Sequence, residues 1–223
     1  MHGDIPSIIY GVQEDYKKLY YSDPDAARKV PITIGPGYGV LKMGTLLSVN
    51  TGAASPNKGQ FFPFDPAAIT GAENAPGRSY VVATVANGTA IAYVTLPDSY
   101  RFVVNDDIII CDNDLEANMD NGSVIISIDR TTYTHMAVIT FTTAVGDDFT
   151  AAKFAYVTLE GNFVAVGVLE KSVDTGTGVN SQGAHATLIL GNAVLYQGML
   201  LNLDSGGRTD LKSVAFGQFE NIP

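Results

Sequence analysis

The sequence predicts a mainly β protein, on three observations. Short runs rich in Val, Ile, Thr, Tyr and Phe recur at close spacing from residue 80 onward. Turn signals separate them, among them Asn87-Gly88, Asp120-Asn121-Gly122, Gly161-Asn162 and Gly191-Asn192. No convincing repeat, low-complexity run or heptad interrupts the pattern.

The first 35 residues differ in texture from the rest. Ile5, Ile8, Ile9, Tyr10, Tyr16, Tyr20 and Tyr21 stand among charges of both signs, and Pro6, Pro24 and Pro31 break the stretch. A short helical piece is expected around residues 12–20, or after the cap-like Ser22-Asp23 with Pro24 in its first turn. One reading is a poorly ordered terminus. The other, which we prefer, is an extended arm whose isoleucines and tyrosines are buried only on a partner, because aromatics are enriched at interface cores and scarce in disordered chains. The "GPGYG" of residues 35–39 reads as a tight turn between arm and sheet; neither the Gly-Lys-Ser/Thr nor the opening helix of a phosphate loop follows it.

Residues 39–50, "GVLKMGTLLSVN", predict one strand or a bent pair, followed by a turn-rich stretch. Residues 61–79 carry Pro63, Pro66 and Pro76 with Gly71 and Gly77, which marks a connection and a boundary. From Tyr80 to Val145 the β-branched runs predict a compact antiparallel barrel or sandwich. Within it Val124, Ile126 and Ile128 share one face and Ile125, Ser127 and Asp129 the other, so one of the two faces is core. A turn of helix near 145–154, a hairpin-rich sheet to residue 203 and a short helix from about Thr209 complete the expectation.

Composition narrows the function classes. The chain has 223 residues, 46% hydrophobic and 16% charged, enough for one large β domain or two small ones with real cores. A single cysteine, Cys111, excludes an intramolecular disulfide framework, so packing or association must supply the stability. No run of 18 apolar residues and no secretory pattern after Met1 point to a membrane or to export. The net charge of −10 argues against nucleic acid, whose binding needs clustered Lys and Arg. Most of that excess falls between Asp98 and Asp148, where ten acids face only Arg101 and Arg130.

Enzyme sites find little support. His2, His135 and His185 lie far apart, in no metal-like spacing and with no carboxylate orienter nearby in sequence. Cys111 ends a predicted strand beside Asp112 and Asp114, which would raise a thiol pKa rather than activate it. The doublets Asp106-Asp107 and Asp147-Asp148 read as polar turn positions, since adjacent strand residues cannot face each other across a glycosidic bond. The stretch "CDNDLEANMDNG", 111–122, is expected to be an ordinary acidic loop. A weak Ca²⁺ site at Asp112, Asp114 and Glu116 is its alternative, departing from an EF-hand at Ala117 and Ser123. No catalytic residue and no cofactor is assigned.

Three segments carry a family resemblance: "GTLLSVNTGA" early in the chain, then "FVAVGVLEKSVDTG" and "AHATLILGNAVLYQGMLL". Leu46 to Gly52, Val166-Gly167-Val168-Leu169 with Asp174, and Ala186 to Leu201 resemble the core of the lambda-type head decoration (capsid-stabilising) proteins of tailed bacteriophages. The likeness covers about a third of the chain, and its motifs are structural rather than chemical. It implies a small β-barrel or β-tulip-like core, here discontinuous over residues 39–75 and 155–223, and an N-terminal capsid-binding arm over 1–38; the chain departs from the small family members by its length, and residues 76–154 are expected to form an inserted antiparallel β domain. It further implies a virion protein on the outer capsid surface, made in the bacterial host cytoplasm, that stabilises the head as a homotrimer bridging major capsid protein subunits. Arms of this family add to the shell by strand pairing. Two rival expectations remain: a phage adhesion or glycan-binding module acting through the insert, and a hydrolase with a composite site using His135 or His185.

Overall fold

The computed structural model describes residues 19–21, 23–66, 75–112 and 119–214. Its strands, in chain order, are β1 (Arg28–Ile34), β2 (Val40–Leu41), β3 (Leu46–Val49), β4 (Phe61–Pro63), β5 (Ser79–Tyr80), β6 (Ile91–Thr95), β7 (Asp107–Cys111), β8 (Met119–Asp129), β9 (Met136–Phe141), β10 (Tyr156–Leu159), β11 (Gly167–Leu169), β12 (Val173–Asp174) and β13 (Ala184–Gly191). The fold is mainly β, as the β-branched runs and turns predict. Five strands close a barrel in the order β1-β13-β11-β3-β4, six form a sheet in the order β5-β10-β7-β8-β9-β6, and β12 pairs with β2.

The barrel closes through one parallel contact, Ile34 against Phe61, with the Gly35 amide donating to the Phe61 carbonyl at 2.8 Å. That bond fixes the phase of β1. Amides of Val30, Ile32 and Ile34 turn toward β13, whereas those of Lys29 and Thr33 turn to the other edge. Pro31, which has no amide to donate, occupies a position on that second edge and removes no bond from the β1–β13 ladder. The six-stranded sheet curls until its ends meet: Val81, just after β5, bridges Val94 of β6, and the Val82 amide donates to the Tyr93 carbonyl at 2.8 Å.

Two strands fall on other sides of the expected boundaries. Residues 28–34, assigned by sequence to the arm, are the barrel strand β1, because Ile32 and Ile34 alternate into the core along seven pairs with β13. Residues 156–159, assigned to the discontinuous domain, are β10 of the six-stranded sheet, paired with β7 from Tyr156↔Cys111 to Leu159↔Ile108. The Asp120-Asn121-Gly122 turn is also replaced. Gly122 lies inside β8 with φ of 78°, where the β7–β8 register slips, so the glycine supplies a bulge rather than a hairpin. A second slip between Ile125 and Ser127 breaks the alternation, so Ile125 and Ile128, from opposite expected faces, both pack on the core while Ile126 is exposed. After β6 the chain forms a short helix, Leu96–Ser99, capped where the Asp98 amide donates to Thr95 Oγ1 at 3.2 Å. The C-terminal helix runs Ser205–Val214, starting before the expected Thr209.

The barrel wall is buried on both faces. Leu47, Phe62, Leu169 and Leu188 join one hydrophobic cluster with Val94, Ile108, Ile110, Ile139 and Phe141 of the six-stranded sheet. Their neighbours Leu46, Phe64, Val168 and Ile189 point the opposite way into a second cluster with Leu19, Tyr20, Leu195, Leu200 and Leu211. One face is thus covered by the second sheet, the other by both ends of the described chain.

Arginines tie the two sheets together. Arg78, just before β5, meets Asp65, just after β4, through Nε at 2.8 and 3.0 Å and Nη2 at 2.8 Å, with its guanidinium 4.3 Å above the Tyr156 ring. Both side chains are fully enclosed, so the bidentate geometry is what makes the burial tolerable. Burial pushes the Asp65 carboxyl up while Arg78 pulls it down. Arg101 donates to the carbonyls of Gly37 and Arg78 at 3.0 and 2.6 Å and pairs with Asp98 at 2.8 Å.

Candidate functional site: the root of the N-terminal arm

Leu19, Tyr20 and Tyr21 lie along the segment after β13 as a short antiparallel ladder. Tyr20 bridges Leu195, the Tyr21 amide donates to the Val194 carbonyl at 2.8 Å, and the Tyr196 amide donates to the Leu19 carbonyl at 3.1 Å. Leu19 is fully buried in the second cluster, and full burial of such a side chain contributes roughly 1.5–3 kcal/mol. The Tyr20 hydroxyl donates to Glu170 Oε1 at 3.0 Å across 150 residues of sequence. Lys29 reaches the same oxygen at 2.6 Å and lies 5.3 Å from the centre of the Tyr20 ring. Glu170, almost enclosed, therefore accepts both from a phenol and from an ammonium, which compensates the cost of burying its charge.

This geometry corrects one arm assignment. Sequence places Tyr20 among the partner-buried side chains; only 5% of it is exposed within its own chain, so it anchors the root instead. Tyr21 is 57% exposed, with its ring edge-on to that of Tyr196, 5.5 Å away at 85°. Ile5, Ile8, Ile9, Tyr10 and Tyr16 lie outside the described residues.

A groove opens beside the root. It encloses about 430 Å³ and is lined by Lys42, Met43, Ser172, Gly198, Met199 and Leu201. The wall is set by Gly44, whose φ is +85° and whose added Cβ would stand 2.0 Å from the Met199 carbonyl oxygen. Only glycine lets the 43–45 turn and the 197–201 segment approach that closely. The Met43 amide donates to Ser172 Oγ at 2.9 Å, fixing the third side.

The other candidates take different places. Asp112 is buried, with Lys153 Nζ 3.8 Å from Oδ2, while Asp114 and Glu116 lie outside the described residues. Among the described residues no group of three or more His, Cys, Asp or Glu is gathered for a metal. His135 and His185 are exposed, and Cys111 is buried in the sheet with its thiol pushed up by desolvation. Asp106 and Asp107, expected at an exposed turn, are buried: Asp106 accepts from Ser55 Oγ and, at 2.8 Å, from the Val103 amide, so the pair fastens the β3–β4 loop to β7. Asp148, by contrast, keeps its turn role, accepting from the Asn87 amide at 2.8 Å. No helix among the described residues is long and apolar enough to cross a membrane.

Sequence reasoning missed Glu170, Lys29, Met43 and Met199. Their roles depend on contacts between segments more than a hundred residues apart, and no local pattern marks them. Neither a protein-family profile, a curated protein nor a solved structure matches the chain.

Proposed function

We propose that the chain is a virion structural protein that decorates the outer surface of a tailed-phage capsid. In this reading it acts as a homotrimer that stabilises the head by bridging major capsid protein subunits. One observation carries the reading: the three segments that resemble head decoration proteins become β3, β11 and β13, hydrogen-bonded neighbours in a single barrel, and the arm root is seated on that barrel. The root lies against the opposite face of the barrel wall from the one that packs on the six-stranded sheet. The arm would then leave on the side that meets the shell, and the six-stranded sheet would be displayed away from it. Strand pairing supplies affinity through backbone bonds, and three arms per trimer multiply it.

The truncation that tests this must stop short of Leu19. Removing residues 1–16 leaves Leu19, Tyr20 and all of β1 in place, whereas removal to residue 30 would cut into the barrel. The shortened protein is expected to fold and to lose co-sedimentation with undecorated heads. Undiminished decoration by the shortened form would remove the arm from the account.

A further inference from the structure

The outer wall of the six-stranded sheet carries a strip without carboxylate, ammonium or guanidinium groups. Residues 79–97 and 131–146 contain no Asp, Glu, Lys or Arg, in a chain of 23 acids and 13 bases. The fold sets these two stretches side by side, since β6 and β9 pair from Ile91↔Thr140 to Thr95↔Met136. Ala92, Val94, Ala137 and Ile139 turn into the core, so Ile91, Tyr93, Met136, Val138 and Thr140 face outward. Val82 extends the strip past β6, its amide donating to the Tyr93 carbonyl at 2.8 Å, and the Tyr133 ring stands 6.3 Å from that of Tyr93 at 73°. Val82, Ile91 and Tyr133 are exposed. Asp129, paired with Val138, and Asp148, bonded to the Asn87 amide, form the rim. An exposed apolar strip with a polar rim is the pattern of a protein contact.

We propose that this strip is where a second copy of the chain docks. Charge selects that occupant first. Two molecules of net charge −10 repel each other, and a symmetric contact brings each residue near its own copy, so copies meet at lowest cost where neither carries charge. A nucleic acid, a basic protein or a charged sugar would find no counter-charge there. Shape selects it again: a small ligand needs a concave site, whereas the outer wall of a sheet that curls until its ends meet is convex. The inference deepens the decoration reading by naming the surface through which copies of the homotrimer meet, and it rests on that reading only for the number of copies.

Sedimentation of the full-length protein over a concentration series reads the contact without any capsid. The wild type is expected to associate reversibly. Ile91→Lys and Tyr133→Asp each put an unpaired charge into the contact and should weaken association at least about tenfold. Val164→Lys, at an exposed side chain between β10 and β11 and outside the strip, should leave it unchanged. All three positions are exposed, so each variant should keep the wild-type melting temperature. A monomer at every concentration, or association that the strip variants leave intact, would overturn the proposal. Binding of neutral sugars by a monomer, lost in Tyr133→Asp, would overturn it by giving the strip to a glycan. Oxidative footprinting of the wild type needs no variant: Tyr133 and Met136 should lose labelling severalfold from dilute to concentrated protein, while Met199 in the groove keeps its own. Unchanged labelling of Tyr133 counts against the contact. Copies that associate through the strip yet fail to bind undecorated heads would remove the decoration reading and leave this contact standing; heads decorated by a protein that stays monomeric would do the reverse.

Discussion

In the barrel, the ladders that join β11 to β13 and to β3 are two residue pairs each, whereas in the six-stranded sheet β6 and β9 register over five consecutive pairs. Beside its seven-pair β1–β13 ladder, the barrel compensates for these short ladders by burying its wall on both faces. Leu47 and Leu169 pack toward the second sheet while Leu46 and Val168 pack under the chain ends. The six-stranded sheet leaves Ile91 and Ile126 exposed on its outer side. Residues 19–21 and the C-terminal helix are therefore structural parts of the barrel, although they lie at the ends of the described chain.

The comparison is broken most severely at the joint between the two regions. Arg78→Ala leaves Asp65 buried without its partner and should cost about 3–5 kcal/mol in urea unfolding. Leu46→Ala, on the barrel face under the chain ends, should cost about 2–5 kcal/mol. If it costs no more than a surface change, that face is not a core. Tyr20→Phe keeps the ring and deletes the hydroxyl that Glu170 accepts, with an expected loss of about 1.5–3 kcal/mol and faster amide exchange at Tyr196. Ile126→Ser, at a side chain 55% exposed on the bulged strand, should change stability by less than about 0.5 kcal/mol.

The fold class was legible because it rests on local signals. Most of the β-branched runs became strands, Gly161 and Asn192 adopt the positive φ that their turn signals imply, and Asp23 caps the 3₁₀ turn Pro24–Ala26. The errors lie where one residue overrides a pattern. Pro31 masked the alternation of Val30, Ile32 and Ile34, which is a strand signal once the proline is seen to face an unladdered edge. In β8 the slips of register break simple alternation, so Ile125 and Ile128, placed on opposite faces by sequence, both pack on the core. At the arm root the signal was half present. Tyrosines in a charged, proline-broken segment signal burial against something, but only Glu170, 150 residues away, decides that Tyr20 is buried within its own chain while Tyr21 is exposed.

An electron cryo-microscopy reconstruction of heads decorated with the full-length protein tests the central claim most directly, because it reads the orientation of both regions at once. The account predicts the barrel against the shell with Leu19–Tyr21 facing the capsid lattice and the six-stranded sheet pointing to solvent. Density with the six-stranded sheet on the shell and the arm root outward, or heads carrying no added density, would contradict it.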